Sequence, residues 1–324
     1  MTSLSHRHPE VSVIMAVYNG AQYVREAIDS ILSQTFPAFE FIVVDDGSTD
    51  DTPRILATYS DPRVIVIPNE SNRGLTRALN RGIRASRGKY IARQDADDTS
   101  FPERLERQVQ FLESHPEVGL VGTGAQWVDA QGLPIQLWQP ISDPVQIQEM
   151  LLSGIPFLHG TFVFRRACLE DTGGGYNEKM PVAQDCDLLL RIADRWHLTN
   201  LPDILYIHRR HEDTVTARQR SEQKRYERLA QITACQRRLA YGWARLRLVH
   251  RPVPSWVYSA DRKWMAERYL WWSAGARAVS KGIALQFLLI ALALNPTSTL
   301  AWAYIWGIIA RKLQRLGPSA RNIT

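Results

Sequence analysis

The chain has 324 residues, enough for one large domain or two ordinary ones, and at 45% hydrophobic and 22% charged its composition excludes a disordered chain. Three widely spaced cysteines, Cys168, Cys186 and Cys235, with no CxxC pair, exclude a disulfide framework and a zinc site of the usual spacing, and point to a reducing compartment. The net charge of +6 hides an asymmetry: residues 206–324 hold 21 Lys and Arg against six Asp and Glu, a balance of +15, whereas residues 1–205 carry −9.

Residues 1–9 read as a flexible N-terminus; they are polar and lack the apolar core of a signal peptide, so the expected location is cytoplasmic. Val11 to Val17 is a β-rich apolar run, followed by a Tyr18-Asn19-Gly20 turn. Ala21 to Ser33 has helical spacing, with Val24, Ile28, Ile31 and Leu32 on one face. Phe39 to Val44 is a second buried strand that runs into Asp45-Asp46-Gly47-Ser48; Thr49 or Asp50 can cap the helix that follows. Val64 to Ile67 predicts a third strand, Leu75 to Ala85 a helix, and Lys89 to Ala92 a fourth strand. Strand-helix alternation at this spacing implies an α/β fold with a mostly parallel sheet flanked by helices.

From Phe101 the alternation loosens. Glu103 to Ser114 is amphipathic, Val118 to Val121 and Ala125 to Val128 read as short strands, and Gly154 to Arg166 as a turn followed by a strand. Val182 to Arg195 predicts a helix, and Ile204 to Ile207 an apolar strand. After His211 the pattern shifts to long Arg-rich helices. The division expected is a domain over 10–212, with a nucleotide half at 10–100 and an acceptor half at 101–212, and a basic helical extension over 213–324.

The chemistry gathers at strand ends. The fourth strand runs into Asp95, Asp97 and Asp98, three carboxylates in four residues that repel unless a cation lies among them. Such oxygen ligands suit Mg²⁺ or Mn²⁺ held jointly with substrate phosphates. Arg93 can pair with the same aspartates. Strand one ends at Tyr18-Asn19 and strand two at Asp45-Asp46, at the same end of the sheet, where open α/β sheets bind ligands. A tyrosine ring can stack on a base, and an aspartate can accept from base N–H groups or ribose hydroxyls. Together they make a cradle for a nucleotide diphosphate. Neither GxGxxG nor GxxxxGK[ST] follows the first strand, which argues against dinucleotide binding and P-loop chemistry.

The stretches VSVIMAVYNGAQYVREAIDSILSQTF, FIVVDDGSTDDT, NRGLTRALNRGIRASRGKYIARQDADD, HGTFVFRR, GGYNEKMPVAQDCDLLLRI and YIHRRHEDTVT, in this order, resemble a family 2 glycosyltransferase of the GT-A fold, bacterial cell-surface polysaccharide type, over roughly residues 10–216. The resemblance implies an inverting enzyme that uses a nucleotide-diphosphate sugar, with UDP-sugars favoured. It places Tyr18, Asn19, Asp45, Asp46, Asn72, Gly74, Arg93, Asp95 and Asp97 around the donor, and Asp95, Asp97, Asp98 and His211 around Mn²⁺ or Mg²⁺. It makes Asp185 the general base, with Gln184 standing where the family usually has Glu. His159, Gln184 and Asp187 fall on the acceptor side, and Asp187 is the alternative base. The acceptor implied is a glycan or a lipid-linked molecule.

Gly282 to Ala310 is 29 residues without a charge, broken by Asn295-Pro296-Thr297-Ser298-Thr299. Each half is shorter than the ~20 apolar residues that span a bilayer. The pattern predicts a helical hairpin. Trp302, Tyr304, Trp306, Arg311, Lys312 and Arg315 suit an interfacial anchor on an anionic membrane surface, peripheral to the inner face. A buried hairpin in a homodimer is the other outcome, and a kinked single span the third. A nucleic-acid partner is suggested only by the basic tail and is not expected. A non-catalytic scaffold of the same fold, and a sugar-phosphate nucleotidylyltransferase, are the competing functions; the second lacks its Gly-rich basic N-terminal loop.

Overall fold

The computed structural model describes residues 8–211, 220–248 and 259–306. Two compact units divide between Ala234 and Cys235. The first is built on one mixed sheet. Strands β1 (Val11–Val17), β2 (Phe39–Asp45), β3 (Val64–Pro68) and β4 (Tyr90–Arg93) lie in the order β3-β2-β1-β4, all parallel. β1 and β2 are buried along their whole length, as the continuous apolar runs require of strands covered on both faces. Helices α1 (Val24–Leu32), α2 (Thr52–Leu56) and α3 (Leu75–Ala85) connect them. α1 buries Val24, Ala27, Ile28 and Ile31, the i, i+3, i+4, i+7 stripe its sequence predicts.

β5 (Thr99–Ser100) and α4 (Arg104–Ser114) lead into the second half of the sheet, where the strands run in mixed directions. β6 (Val118–Val128) is one strand of 11 residues rather than two short ones. β7 (Pro134–Trp138) pairs with its end. α5 (Pro144–Met150) is capped by Asp143, whose carboxylate accepts from the amides of Val145 and Gln146 at 2.8 and 2.9 Å. A 3₁₀ turn over His159–Thr161 precedes β8 (Val163–Arg165), which is antiparallel to both β4 and β6 and joins the two halves. Helix α6 (Ala167–Thr172) packs on it and α7 (Gln184–Ile192) packs on α6, and β9 (His197–Arg209) runs parallel to β6 and pairs with β5. The helix expected over 182–195 is thus shorter, and the strand expected over 204–207 much longer.

α8 (Arg220–Leu248) begins in the first unit and ends in the second. The second unit also holds α9 (Ser259–Ala276), α10 (Lys281–Leu294) and a helical stretch over 299–306. α10 packs on α9 through Tyr269, Trp272 and Phe287, and the Ser273 hydroxyl donates to the Ala284 carbonyl at 2.8 Å. The break at 295–298 falls where the Asn-Pro-Thr-Ser interruption predicts it. The rest of the expected hairpin, residues 307–310, and the cations after it lie outside the described residues. Among the described residues no helix is long and apolar enough to cross a membrane.

Candidate active site

The strand order fixes where a site can form. The chain leaves β1 towards β2 and β3, then returns to place β4 on the other side of β1, which opens a crevice at the carboxyl ends of β1 and β4. The register brings the strand ends level: Asp46 donates its amide to the Val17 carbonyl, Asn69 to Asp45, and Gln94 to Ile14. The loops Tyr18–Gly20, Asp46–Ser48, Asn69–Gly74 and Gln94–Asp98 therefore share one rim.

Tyr18 projects from that rim, 47% exposed, a free ring face beside the crevice. Asn19 takes a left-handed φ of 52°, which an Asn tolerates, and its side-chain oxygen accepts from the Thr49 amide at 2.8 Å. Asp45 is buried and accepts from the Ser48 amide. Asp46 is buried too, and its two oxygens are taken by the loop after β3: Asn69 donates at 2.6 Å, the Arg73 amide at 3.0 Å and the Gly74 amide at 2.8 Å. Its observed work is to shape the Asn69–Gly74 loop, in which Asn72 also accepts from Gly74. Gly47 must be glycine: φ is +74° and a Cβ there would lie 2.5 Å from the Ser71 backbone.

The acidic cluster separates into three environments. Asp95 pairs with the buried guanidinium of Arg93, which also donates to the Gln94 carbonyl. The Asp95 amide donates to the Tyr206 hydroxyl at 3.2 Å. Asp97 meets His211 Nε2 at 2.9 Å through Oδ2. Burial alone would raise the Asp97 carboxyl, but the hydrogen bond and charge of His211 outweigh it and hold the group below its ordinary value. Asp98 differs from the expectation of a place beside the metal pair. It is fully buried, and both oxygens are used by β9: the His208 ring at 3.1 Å and the Arg209 amide at 2.7 Å. Burial pushes its carboxyl up to about 6, against the pull of His208. Asp98 thus fastens the loop to the sheet, and Asp95 and Asp97 are left facing the crevice.

Does this set fit a divalent ion? Among the described residues no three Asp, Glu, His or Cys side chains converge as a ready cage. Mg²⁺ and Mn²⁺ need no such cage when phosphates and water complete their shell. The 2.9 Å contact between Asp97 Oδ2 and His211 Nε2 is a hydrogen bond whose proton an ion would displace; as donor types, a carboxylate and an imidazole suit an ion that also takes phosphate oxygens.

Asp185 lies in the first turn of α7, after Ala183, whose φ is +56°. Its Oδ1 accepts from the following Cys186 amide at 2.9 Å, and its side chain is partly buried. Burial raises its carboxyl to about 6, with Glu227 and Asp95 adding to the effect against two backbone hydrogen bonds. Asp187 is different: it is held by Arg191 at 2.8 Å one turn along, and Arg191 also donates to the Gly175 carbonyl at 2.7 Å. Gln184 is buried at the start of the helix. His159 contacts the Tyr176 hydroxyl through Nε2 at 2.7 Å, and burial pushes its imidazole down to about 3, with Arg93 acting in the same sense. It is therefore neutral and serves as a hydrogen-bonding wall rather than a charge.

Four neighbours were not singled out by sequence reasoning: Tyr206, His208, Arg104 and Tyr176. Arg104 is buried under the acidic loop and donates to the carbonyls of Gly160 and Arg93 at 2.7 and 3.0 Å. Burial lowers its guanidinium to about 10. A buried arginine on an amphipathic helix is the one signal that could have drawn attention to it.

Comparison with known proteins follows the same lines. The sequence profile of glycosyl transferase family 2 matches residues 12–173. The putative glycosyltransferase EpsE of Bacillus subtilis is 39% identical over 218 residues, 65% of this chain and 76% of that one. The amylovoran biosynthesis glycosyltransferase AmsE of Erwinia amylovora is 32% identical over 212 residues, 64% of this chain and 79% of that one. Among solved structures, S. aureus TarS 1–349 in complex with UDP-GlcNAc superposes with a TM-score of 0.59 at 19% identity, covering 92% of each chain, and shares the fold.

Proposed function

The chain belongs to glycosyl transferase family 2, and from that premise we propose that it moves a sugar, with inversion, from a nucleotide-diphosphate sugar to a hydroxyl of a glycan or lipid-linked acceptor in cell-surface polysaccharide synthesis. The observation that supports this reading is that Asp185 lies near enough to Asp95 for their charges to interact, which brings the start of α7 to the acidic loop after β4. Asp97, kept ionised by His211, faces the donor side; Asp185, poised near 6, faces the acceptor side. A general base works best with a pKa near the operating pH; Asp98 is raised to a similar value but both its oxygens are taken by His208 and Arg209, which leaves Asp185.

In the proposed reaction Tyr18 stacks on the base, and the Asn69–Gly74 loop, shaped by Asp46, receives the nucleoside. Asp97 and His211 would hold Mn²⁺ or Mg²⁺, with Asp95 on the ribose beside them; the bound ion would neutralise charge on the departing diphosphate. Arg93 fixes the Asp95 carboxylate. The acceptor hydroxyl lies against Asp185, which takes its proton as the oxygen attacks the anomeric carbon. Neutral His159 and Tyr176 donate or accept along the sugar without competing for that proton. The TarS complex makes UDP-GlcNAc the first donor to try. In the same proposal the second unit presents Leu285, Leu289, Leu300, Trp302 and Trp306, all exposed, to an anionic membrane surface from the cytoplasmic side.

The test is a thermal-shift screen of UDP-, GDP- and dTDP-sugars with and without Mn²⁺, followed by NMR of the product's anomeric configuration. Donor binding raises the melting temperature by mass action. No stabilisation by any sugar nucleotide, or a product that retains configuration, refutes the reading.

A further inference from the structure

Helix α3 has two unlike faces. Thr76, Ala78, Leu79, Asn80, Gly82 and Ile83 are buried against the sheet and the second half. Arg77, Arg81 and Arg84 fall at four- and three-residue intervals on the outward side, and Arg73 precedes them. From Arg77 to Arg84 the helix rises roughly 10 Å. These four arginines line an open groove of about 900 Å³, with Glu70 and Glu178 as its two carboxylates. One end meets the Asn69–Gly74 loop that Asp46 shapes. The far wall is Glu178, in the segment that leads to α7 and Asp185.

We propose that this groove binds an anionic glycan strand, carrying carboxylate or phosphate groups along its length, as part of the acceptor. The inference rests on the transferase reading and names the class of its acceptor. Three features support it. The cations are spread along the helix from Arg73 to Arg84, with Arg77 and Arg84 also meeting at the Glu178 carboxylate, which suits an acidic group held there and further charges along a chain. Arg77 and Arg84 are 60% and 66% exposed, and their only carboxylate neighbour in the groove is Glu178, at 3.6 and 3.8 Å. Such exposed, long ion pairs exchange readily for a ligand's charge. Arginine's planar fork is also the donor best matched to carboxylate and phosphate oxygens.

Other anions fit the groove less well. Its lining contains no aromatic ring, so nucleic-acid bases would find no stacking platform. Its concave form does not suit a flat layer of lipid headgroups. Arg81 is committed to the wall, donating to the Pro68 carbonyl at 2.8 Å and to Asn69, so Arg77 and Arg84 are the residues to vary.

The experiment is calorimetry on the full chain with four probes: hexagalacturonate, a short polyphosphate, neutral maltohexaose and an RNA hexamer, with UDP binding measured in parallel. Wild type should bind hexagalacturonate or polyphosphate, more weakly at high salt, and whichever binds tells carboxylate from phosphate. R77Q/R84Q should weaken that binding roughly 5- to 20-fold, the size of two exposed ion pairs together. E178Q, which keeps the acceptor oxygen that Asn80 uses at 3.2 Å, should tighten it. UDP affinity should not move in either variant. Equal affinity for maltohexaose, tighter binding of RNA, no binding of either acidic probe, or wild-type affinity in R77Q/R84Q overturns the proposal. If acidic probes bind but no UDP-, GDP- or dTDP-sugar does, the transferase reading fails and the groove stands; sugar-nucleotide binding without acidic-probe binding sinks the groove alone.

Discussion

Replacing Asp185 by Asn should separate what that carboxylate does for catalysis from what it costs the fold. Its carboxyl is raised from 3.8 to about 6, chiefly by burial. At ~1.36 kcal/mol per unit, holding it ionised costs the folded state up to about 3 kcal/mol; its partial exposure to crevice water trims this to about 1–2 kcal/mol. Because the folded value lies above the unfolded one, the native state binds more protons between them. The cost is therefore absent below the unfolded value of 3.8 and complete above about 6. Asn carries no charge at any of these pH values. D185N should then melt roughly 3–6 °C above wild type at pH 8, a gap that closes as pH falls towards 4. Over the same change, transfer should fall at least ~10²-fold while donor binding survives. Wild-type transfer should decline below pH ~6 as the base takes up its proton. Paired thermal melts at pH 4.5 and 8, with UDP titrations and initial rates, make the check. A melting difference independent of pH would refute the electrostatic argument. Retained turnover in D185N, with D187N inactive, would move the base to Asp187.

On the donor side, D97N and H211A should each weaken sugar-nucleotide binding and abolish its enhancement by Mn²⁺; calorimetry that finds unchanged metal-dependent affinity would rule out the Asp97–His211 pair. Chelation by EDTA should shrink the donor-induced thermal shift of wild type to about that of D97N and leave the D97N shift unaffected. G160A should destabilise the chain by about 1–3 kcal/mol and impair donor binding, because a Cβ there would lie 2.0 Å from the Tyr206 hydroxyl and 2.8 Å from Asp95 Oδ2; a chemical denaturation curve matching wild type would contradict the packing. W302A/W306A should lower sedimentation with anionic vesicles without altering UDP affinity, since both indoles are exposed in the second unit; unchanged vesicle binding would discard that face as the anchor.

The first half of the sheet was legible because each of its elements carries a local signal. Buried parallel strands read as unbroken apolar runs, and α1 and α3 show a clean helical stripe. The second half hid its design in long-range contacts. β6 looked like two strands because Gly122 and Gly124 interrupt it, yet they are there for close approach: a Cβ at Gly122 would meet Asn200 Oδ1 of β9 at 2.2 Å. β9 passes through Pro202 and Asp203, and its register against β6 shifts beside Gly124, which admits a proline in a strand. β8 has three residues, too few for any periodicity. The candidate site divides the same way. Asp95, Asp97 and Asp185 stand out as residue types at element ends. That Asp98 would turn inward to His208 and Arg209, and Asp187 to Arg191, depends on partners 110, 111 and 4 residues away.

α3 explains how two halves with such different signals make one crevice. Its N-terminus begins at Gly74, whose amide is held by Asp46, so the donor loop and the helix are one rigid piece. Two turns on, Asn80 accepts from the Tyr176 amide at 2.8 Å and donates to the Tyr176 carbonyl at 2.8 Å, while Thr76 donates to the Met180 carbonyl at 2.9 Å. A Cβ at Gly175 would lie 2.4 Å from Asn80 Oδ1, so the segment has been thinned to let the amide in. These are buried bonds, and leaving one such backbone group unpaired costs about 1–3 kcal/mol. The segment they fix carries Tyr176, the partner of His159, and leads directly into Asp185. A helix of the first half thus sets the position of the segment that leads into Asp185, the proposed acceptor side. N80A should accordingly impair transfer more than UDP binding, and equal losses in both would show that α3 serves the donor loop alone.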